Sequence, residues 1–242
     1  DTLATKLAHI REATYIPRVQ IAARDELYLL AKRLFDVLLA ALLLVLLAPL
    51  MAVIALAVAL DSPGPVIFRQ KRVLGDQLLD GSQPDQHVFE FYKFRSMYHN
   101  ADQTLHQRYM ESLINGQALK DGDGKLYKLD RDPRITRVGH LLRKTSLDEL
   151  PQLFNILRGE MSFVGPRPAI PYEVQQYKGW HMERLTVTQG LTGLWQVKGR
   201  NELSFDEMAA LDIEYARHRS LWLDLKIMLE TIPAVLSTRG VR

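Results

Sequence analysis

From Val37 to Leu60 the chain runs for 24 residues without a charged or polar side chain, and its one irregularity is Pro49. As a helix rising about 1.5 Å per residue, this run reaches roughly 36 Å, enough for a hydrocarbon core of about 30 Å. Uncharged runs of this length rarely occur in water-soluble cores. The run is also too long, and too far from the start, to be the apolar part of a cleavable signal. The pattern predicts a membrane element over residues 32–61. Its flanks are basic on both sides, with Lys32 and Arg33 before it and Arg69, Lys71 and Arg72 after it. Basic residues mark the cytoplasmic side of a membrane, so a simple crossing should be lopsided. Pro49 has no backbone N–H to give and clashes with the preceding turn, which predicts a bend. An element that dips in and returns to the same face fits these features, and so does a kinked spanning helix. Asp36 at the mouth is costly in lipid unless paired, and Lys32 or Arg33 lies one turn away.

The remaining pattern predicts a mainly helical α+β protein. Residues 3–30 read as a short helix, a turn near Pro17 and a second helix. Asp61-Ser62-Pro63-Gly64-Pro65 ends the apolar run. Val66-Ile67-Phe68 and Val88-Phe89-Glu90-Phe91-Tyr92 read as the two strands of a small β-hairpin around a polar loop. Residues 98–115 read as a helix, followed by a Gly/Asp-rich loop. Leu150, Leu153, Phe154 and Leu157 recur at helical spacing before Gly159, a helix-ending residue. Phe205–Arg217 and Leu221–Leu236 read as two further helices. The last puts Trp222, Leu225, Leu229 and Ile232 on one face, beside Arg217, His218 and Arg219. That face suits either the lipid interface or a packed core. The implied division is 1–31 for the joining helices, 32–61 for the membrane element and 62–242 for a catalytic domain.

Composition narrows the chemistry. The 242 residues carry a net charge of +3 and no cysteine, which excludes disulfides, thiolate zinc sites and cysteine nucleophiles. A modest basic excess suits an anionic membrane face or a phosphorylated substrate, and is too small to argue for nucleic acid. Neither a G-x-x-x-x-G-K-[ST] loop nor a G-x-G-x-x-G loop is present, so ATP-driven and dinucleotide chemistry lack support. His9, His87, His99, His106, His140, His181 and His218 show no metal-ligand spacing and read as structural. The chain begins at Asp1, which reads as a piece of a longer protein.

The candidate chemistry centres on Asp148 and Glu149 in Thr145-Ser146-Leu147-Asp148-Glu149-Leu150-Pro151. Pro151 belongs in a first helical turn, so Asp148 could be an N-cap, or Ser146 and Glu149 a capping box, with no chemistry at all. The surroundings point further. Lys93, Arg95, Arg131, Arg134, Arg137, Arg143, Lys144, Arg158 and Arg167 crowd the same stretch of sequence. Guanidinium forks match phosphate oxygens bidentately, and paired carboxylates can hold Mg²⁺ together with substrate phosphates. These parts describe phosphoryl transfer from a nucleotide diphosphate, with Asp148 able to attack phosphorus. Gly165-Pro166-Arg167-Pro168 reads as a rigid turn that fixes Arg167.

Lys32-Arg33-Leu34-Phe35-Asp36, the apolar run broken at Pro49, Tyr92-Lys93-Phe94-Arg95-Ser96-Met97 and Asp132-Pro133-Arg134-Ile135-Thr136 occur in that order. Arg143 to Leu153, Gly165-Pro166-Arg167-Pro168 and Thr192-Gly193-Leu194-Trp195-Gln196-Val197 follow. This series resembles the bacterial sugar transferases, the monotopic phosphoglycosyl transferases that start glycan assembly on undecaprenyl phosphate. The resemblance covers Lys32 to near the C-terminus. It implies a re-entrant membrane helix with interfacial amphipathic helices at the bacterial inner membrane, and a catalytic domain on the cytoplasmic face. It implies a UDP-sugar donor, undecaprenyl phosphate as acceptor and surrounding membrane lipids as partners. Asp148 is then the nucleophile and Glu149 its Mg²⁺-binding companion. Arg143 and Arg167 hold donor phosphates, Lys93, Arg95 and Arg134 complete the basic site, and the Trp195 loop lies near the nucleobase. Two departures stand out. The Gly75–Val88 loop is longer than the family's short turn, as an oligomer contact (a homodimer) or a lid. The first 30 residues resemble the joint to a missing N-terminal region of a large member. The sugar is left open between glucose, galactose and an N-acetylhexosamine, and a non-catalytic scaffold for polyprenyl phosphate is the alternative of a different class.

Overall fold

The computed structural model describes residues 23–75, 87–102, 104–116, 132–199 and 203–236. The joining segment before residue 23 and the loop from 76 to 86 lie outside them, as do the Gly/Asp-rich loop beyond residue 116 and His9. The apolar run belongs to one helix, α1 (Ala23–Asp61), 39 residues long with Pro49 inside it. It passes without a break through the 31/32 boundary expected from sequence. Residues Glu26–Asp61 are long and apolar enough to cross a membrane, by length and composition. Leu30, Leu34, Leu38, Leu42, Val45 and Val53 form an exposed stripe along it, whereas Ala40, Ile54 and Val58 are buried against the rest of the protein.

Both ends of α1 are fastened to the same body. Near its start, Arg33 donates to the Ile156 and Leu157 carbonyls at 2.6 and 2.7 Å. Lys32 pairs with Asp224 at 2.8 Å. Asp36 accepts from the backbone N–H of Phe163 at 3.1 Å, so its bonded partner is a strand edge rather than Lys32 or Arg33. Lys32 bonds Asp224 instead, though its charge still acts on Asp36, and the end of a helix takes Arg33. At the other end, the Asp61 carboxylate accepts from the Val138 N–H at 3.0 Å.

Strands β1 (Ile67–Val73) and β2 (Val88–Phe94) form an antiparallel pair running from Ile67 opposite Phe94 to Val73 opposite Val88. Both run further than the sequence pattern suggested, because backbone pairing continues through Val73 and Phe94, and alternate side chains such as Phe89 and Phe91 are buried while Glu90 faces out. Helix α2 (Thr104–Ile114) follows, beginning later than the expected residue 98. Next come α3 (Arg137–Thr145), a 3₁₀ turn over Leu147–Glu149 and α4 (Gln152–Arg158). Gly159, at φ 83°, ends α4 in the left-handed conformation that glycine adopts without strain.

The short strands β3 (Ser162–Val164) and β4 (Gly190–Thr192) pair in parallel. Three residues each give no period for a sequence to display. Between them lie a single-turn helix, α5 (Pro171–Val174), and a 3₁₀ segment over Gly179–Leu185. The described chain ends with α6 (Leu194–Lys198), α7 (Phe205–His218) and α8 (Leu221–Leu236). Ser204 caps α7 and Glu207 returns the bond, a capping box. The main core joins Ala40 of α1 to Phe89, Phe91, Leu153, Ile156, Phe163, Leu211, Tyr215 and Ile227. The face of α8 left open between lipid interface and packed core is not packed on the described residues of this chain. Trp222 is 75% exposed, and Leu225, Leu229 and Ile232 are exposed beside it, while Asp224 and Ile227 face inward.

Candidate active site

The dyad sits where three local devices meet. Thr136 caps α3, its hydroxyl oxygen accepting from the Gly139 N–H at 3.0 Å. A Cβ on Gly139 would stand 2.0 Å from the Ser96 carbonyl oxygen, so only glycine lets α3 lie this close to the chain leaving β2. Ser146 ends α3 at φ 56°, an uncommon conformation for a non-glycine residue. This sharp reversal turns Asp148 inward. Pro151, at φ −62°, then opens α4.

The capping explanations for the pair fail. Ser146 makes no side-chain cap bond to the 3₁₀ turn, and α4 begins at Gln152 behind Pro151, three residues later than a cap at Asp148 would require. Asp148 is 7% exposed. Its Oδ2 lies 3.9 Å from Lys93 Nζ, which donates to Glu149 Oε1 at 3.0 Å. One ammonium therefore sits across both carboxylates. Asn155, fully buried on α4, fixes that arrangement: its Oδ1 accepts from the Tyr92 N–H at 3.1 Å and its Nδ2 donates to the Glu90 carbonyl at 2.7 Å. It ties α4, the helix that follows the dyad's turn, to the strand that carries Lys93.

The two carboxyls differ in character. Burial pushes the Asp148 carboxyl above the ordinary aspartate range and Glu149 adds to this, while Lys93 and Arg143 act against it. Burial also acts upward on Glu149, but Lys93 and Arg167, with the Lys93 hydrogen bond, outweigh it and hold Glu149 below the usual range. The site thus keeps one firmly ionised carboxylate beside a more basic one.

Arg167 is held by the turn read from sequence. The Gly165 N–H donates to the Thr192 carbonyl at 2.9 Å, and the Gly190 N–H donates to the Pro166 carbonyl at 2.8 Å. A Cβ on Gly165 would meet the Thr188 carbonyl at 2.4 Å, and one on Gly190 the Gly165 nitrogen at 2.1 Å, so both glycines serve close backbone approach. A narrow pocket opens here, lined by Arg72, Phe91, Glu149, Gln152, Arg167, Pro168, Gly190 and Leu191.

Of the expected site residues, Lys93, Arg143 and Arg167 come together around Asp148 and Glu149. Arg95 does not. It is buried and donates to the carbonyls of Val58, Ser62 and Pro65, so it closes the C-terminal end of α1 instead of facing the dyad. The last carbonyls of a helix have no partner within it, which is what claims the guanidinium. Arg134 is bound to Asp132 at 2.6 Å and shapes the turn leading into α3, and Asp132 in turn feels the charge of Arg143. Trp195 packs on the main core, and its buried indole N–H has no partner among the described residues. Sequence alone gives Arg72, Gln152 and Asn155 no role in the site. Arg72 read only as a basic flank, and nothing short of the β1/β2 register could have brought it to the pocket.

Mg²⁺ prefers oxygen donors and commonly takes one or two carboxylates with the rest from substrate phosphates and water. The adjacent Asp148 and Glu149 fit that pattern. No group of three or more His, Asp or Glu side chains that could hold a metal occurs among the described residues.

The sequence that builds this acidic pair, bridging lysine and arginine turn beside a long apolar helix matches a known family. The chain belongs to the bacterial sugar transferases, whose family model matches residues 27–238. It is 41% identical to the exopolysaccharide production protein ExoY of Rhizobium meliloti, over 87% of this chain and 88% of that protein. It is 40% identical to the UDP-glucose:undecaprenyl-phosphate glucose-1-phosphate transferase of Caulobacter vibrioides, over 97% and 78% of the two. Identity to the undecaprenyl-phosphate galactose phosphotransferase of Salmonella typhimurium is 39%, over 91% of this chain but 43% of that protein. The chain thus spans most of some relatives and less than half the length of others.

Proposed function

We propose that this protein transfers a sugar-1-phosphate from a UDP-sugar to undecaprenyl phosphate, releasing UMP, as a membrane step of polysaccharide assembly. The observation that carries this is the Asp148–Glu149 pair, held on its 3₁₀ turn under Lys93 with Arg143 and Arg167 beside it. Three cations around two carboxylates leave an excess of positive charge that suits a diphosphate. In the first step an Asp148 oxygen attacks the β-phosphorus. The bond from that phosphorus to the bridging oxygen breaks, the electron pair leaves with UMP, and a phosphosugar acyl phosphate remains. In the second step an oxygen of the lipid phosphate attacks the same phosphorus, and the bond to Asp148 breaks.

The unequal carboxylates support this division of roles. Glu149 is tightly bonded to Lys93 and stays ionised, which suits charge positioning. Asp148 is less tightly held and more basic, which suits attack. Mg²⁺ at Asp148 and Glu149 would neutralise diphosphate charge. The remaining work belongs to the protein: Arg167 and Arg143 orient the phosphates, and burial of Asp148 keeps water from the acyl phosphate.

The glucose and galactose in the relatives' names favour a hexose donor over an N-acetylhexosamine. UMP release from purified protein with Mg²⁺, undecaprenyl phosphate and a panel of UDP-glucose, UDP-galactose and UDP-N-acetylglucosamine tests the reading. No UMP from any of them would overturn it in favour of a non-catalytic scaffold.

The fastening of α1 supports a re-entrant helix with the catalytic domain on one face, taken as the cytoplasmic face of the inner membrane. From Arg33 to Asp61 a straight helix would span about 42 Å. Yet its start is bonded to α4 and its end to α3, two helices separated by a single turn. A crossing would put those contacts in different aqueous phases. The exposed faces of α1 and α8 then share the lipid boundary, with Trp222 at the interface. Leu27→Cys and Ser82→Cys are each expected to react with an impermeant thiol reagent only when the cytoplasmic face is open. Labelling from opposite faces would exclude the hairpin.

A further inference from the structure

Arg72 lies on β1, outside the dyad and its three flanking cations, yet it reaches the same pocket. It is 5% exposed. Its Nη1 donates to the Pro168 carbonyl at 2.7 Å and its Nη2 to Gln70 Oε1 at 2.8 Å, with the guanidinium 4.9 Å from the Phe91 ring centroid. Its Nε is buried without a hydrogen-bond partner among the described residues. Gln152, 2% exposed and lining the same pocket, has a buried Nε2 in the same condition. Unpaired buried donors are costly, and two on residues that line one pocket point to an acceptor that arrives with a ligand.

The charges point the same way. Arg72 and Arg167 are close enough that, after burial, Arg167 is the main influence lowering the Arg72 guanidinium, to about 10. Glu173 stands near Arg72, and Glu149 feels both arginines. Two guanidinium groups share this wall with Glu149 as its carboxylate. Pro168 follows Arg167 directly, so the bond to its carbonyl fixes the backbone from which Arg167 projects.

On the transferase reading given above, we propose that Arg72 is a positioning residue for the donor. It clamps the Gly165–Pro168 turn so that Arg167 meets the diphosphate, and with Gln152 it donates to a phosphate oxygen only once Arg167 has seated that phosphate in the pocket. A lysine cannot replace it, because the planar fork makes both bonds at once.

The test uses the full chain in detergent or nanodiscs. Arg72→Ala is expected to raise the KM for the UDP-sugar that the wild type uses by roughly tenfold, with a smaller change in kcat and no change in the KM for undecaprenyl phosphate. In an Arg167→Ala background it should add no more than about twofold, because the two residues act as a unit. An unchanged donor KM, or effects that multiply in the double variant, would overturn the proposal. If Arg72→Ala fails to fold, Arg72→Lys decides, with a raised donor KM at unchanged melting temperature expected and a wild-type KM refuting. If the wild type turns over no UDP-sugar, the transferase reading fails instead. The Arg72–Arg167 coupling is then read from UDP binding by calorimetry, where additive losses would refute it.

Discussion

Asp148→Asn is expected to lower UMP release by about a thousandfold or more, the scale of losing a nucleophile. The melting temperature should stay within a few degrees of wild type. An amide has nearly the same shape as the carboxylate. It loses the attraction of Lys93 at 3.9 Å but also sheds the cost of burying a charge beside Glu149. The covalent route adds a sharper readout. Wild-type protein given a UDP-sugar labelled at the β-phosphorus, without lipid, should carry label on a peptide containing Asp148, released by hydroxylamine. Double-reciprocal plots should be parallel. Direct attack by the lipid phosphate, with the dyad serving only Mg²⁺, predicts intersecting lines and no labelled peptide. That pair of results would withdraw the intermediate while leaving the overall transfer in place.

Lys93→Met should be nearly as damaging, for a different reason. Lys93 is the counter-charge to both carboxylates, and its side chain, like theirs, is mostly buried. Removing one partner of a buried charge cluster costs about 3–5 kcal/mol when the remaining charges are left uncompensated. Partial exposure of Glu149 places this variant at the lower end of that range. The site has a second way to relieve the strain, which is to take up a proton. Lys93 lowers the pKa of both groups, so its loss moves both upward, and Asp148, already raised by burial, protonates first. On the proposed covalent route, a protonated Asp148 cannot attack. Turnover at neutral pH should fall about a hundredfold or more. Activity should recover in part as pH rises, and this rise should lie at higher pH than any rise in the wild type, because the loss of Lys93 moves Asp148 further upward. A Lys93→Met enzyme with wild-type turnover, or one whose activity falls as pH rises, would remove Lys93 from the site.

Much of the site was legible in one dimension because its parts are local. Asp148 and Glu149 are adjacent, Arg143 lies one and a half helical turns before them, and Gly165-Pro166-Arg167-Pro168 is a turn whose stiffness is a property of its own residues. The apolar length of α1, the helices Phe205–His218 and Leu221–Leu236 and the stop at Gly159 were readable for the same reason. Each follows from periodicity, from side-chain solubility or from the backbone freedom of one residue. Sequence alone also limited the chemistry, since a chain without cysteine or a nucleotide-binding glycine loop has few ways to handle a diphosphate.

Tertiary structure decided which charges serve the site, because a charge carries no address until its neighbours are placed. Arg95 and Lys93 are two residues apart on one segment, yet Lys93 turns to the dyad and Arg95 to the carbonyls at the end of α1. Arg134, from the same basic run as Arg143, is spent on Asp132. Arg72 reaches the pocket only through the β1/β2 register and the backbone of Pro168, more than ninety residues away. The three-residue strands β3 and β4 pair through glycines that permit close backbone approach, and no hydrophobic period marks them. Acids next to a proline could have been a helix cap. What excluded that was the left-handed Ser146, which spends three residues on a 3₁₀ turn and buries Asp148 under Lys93.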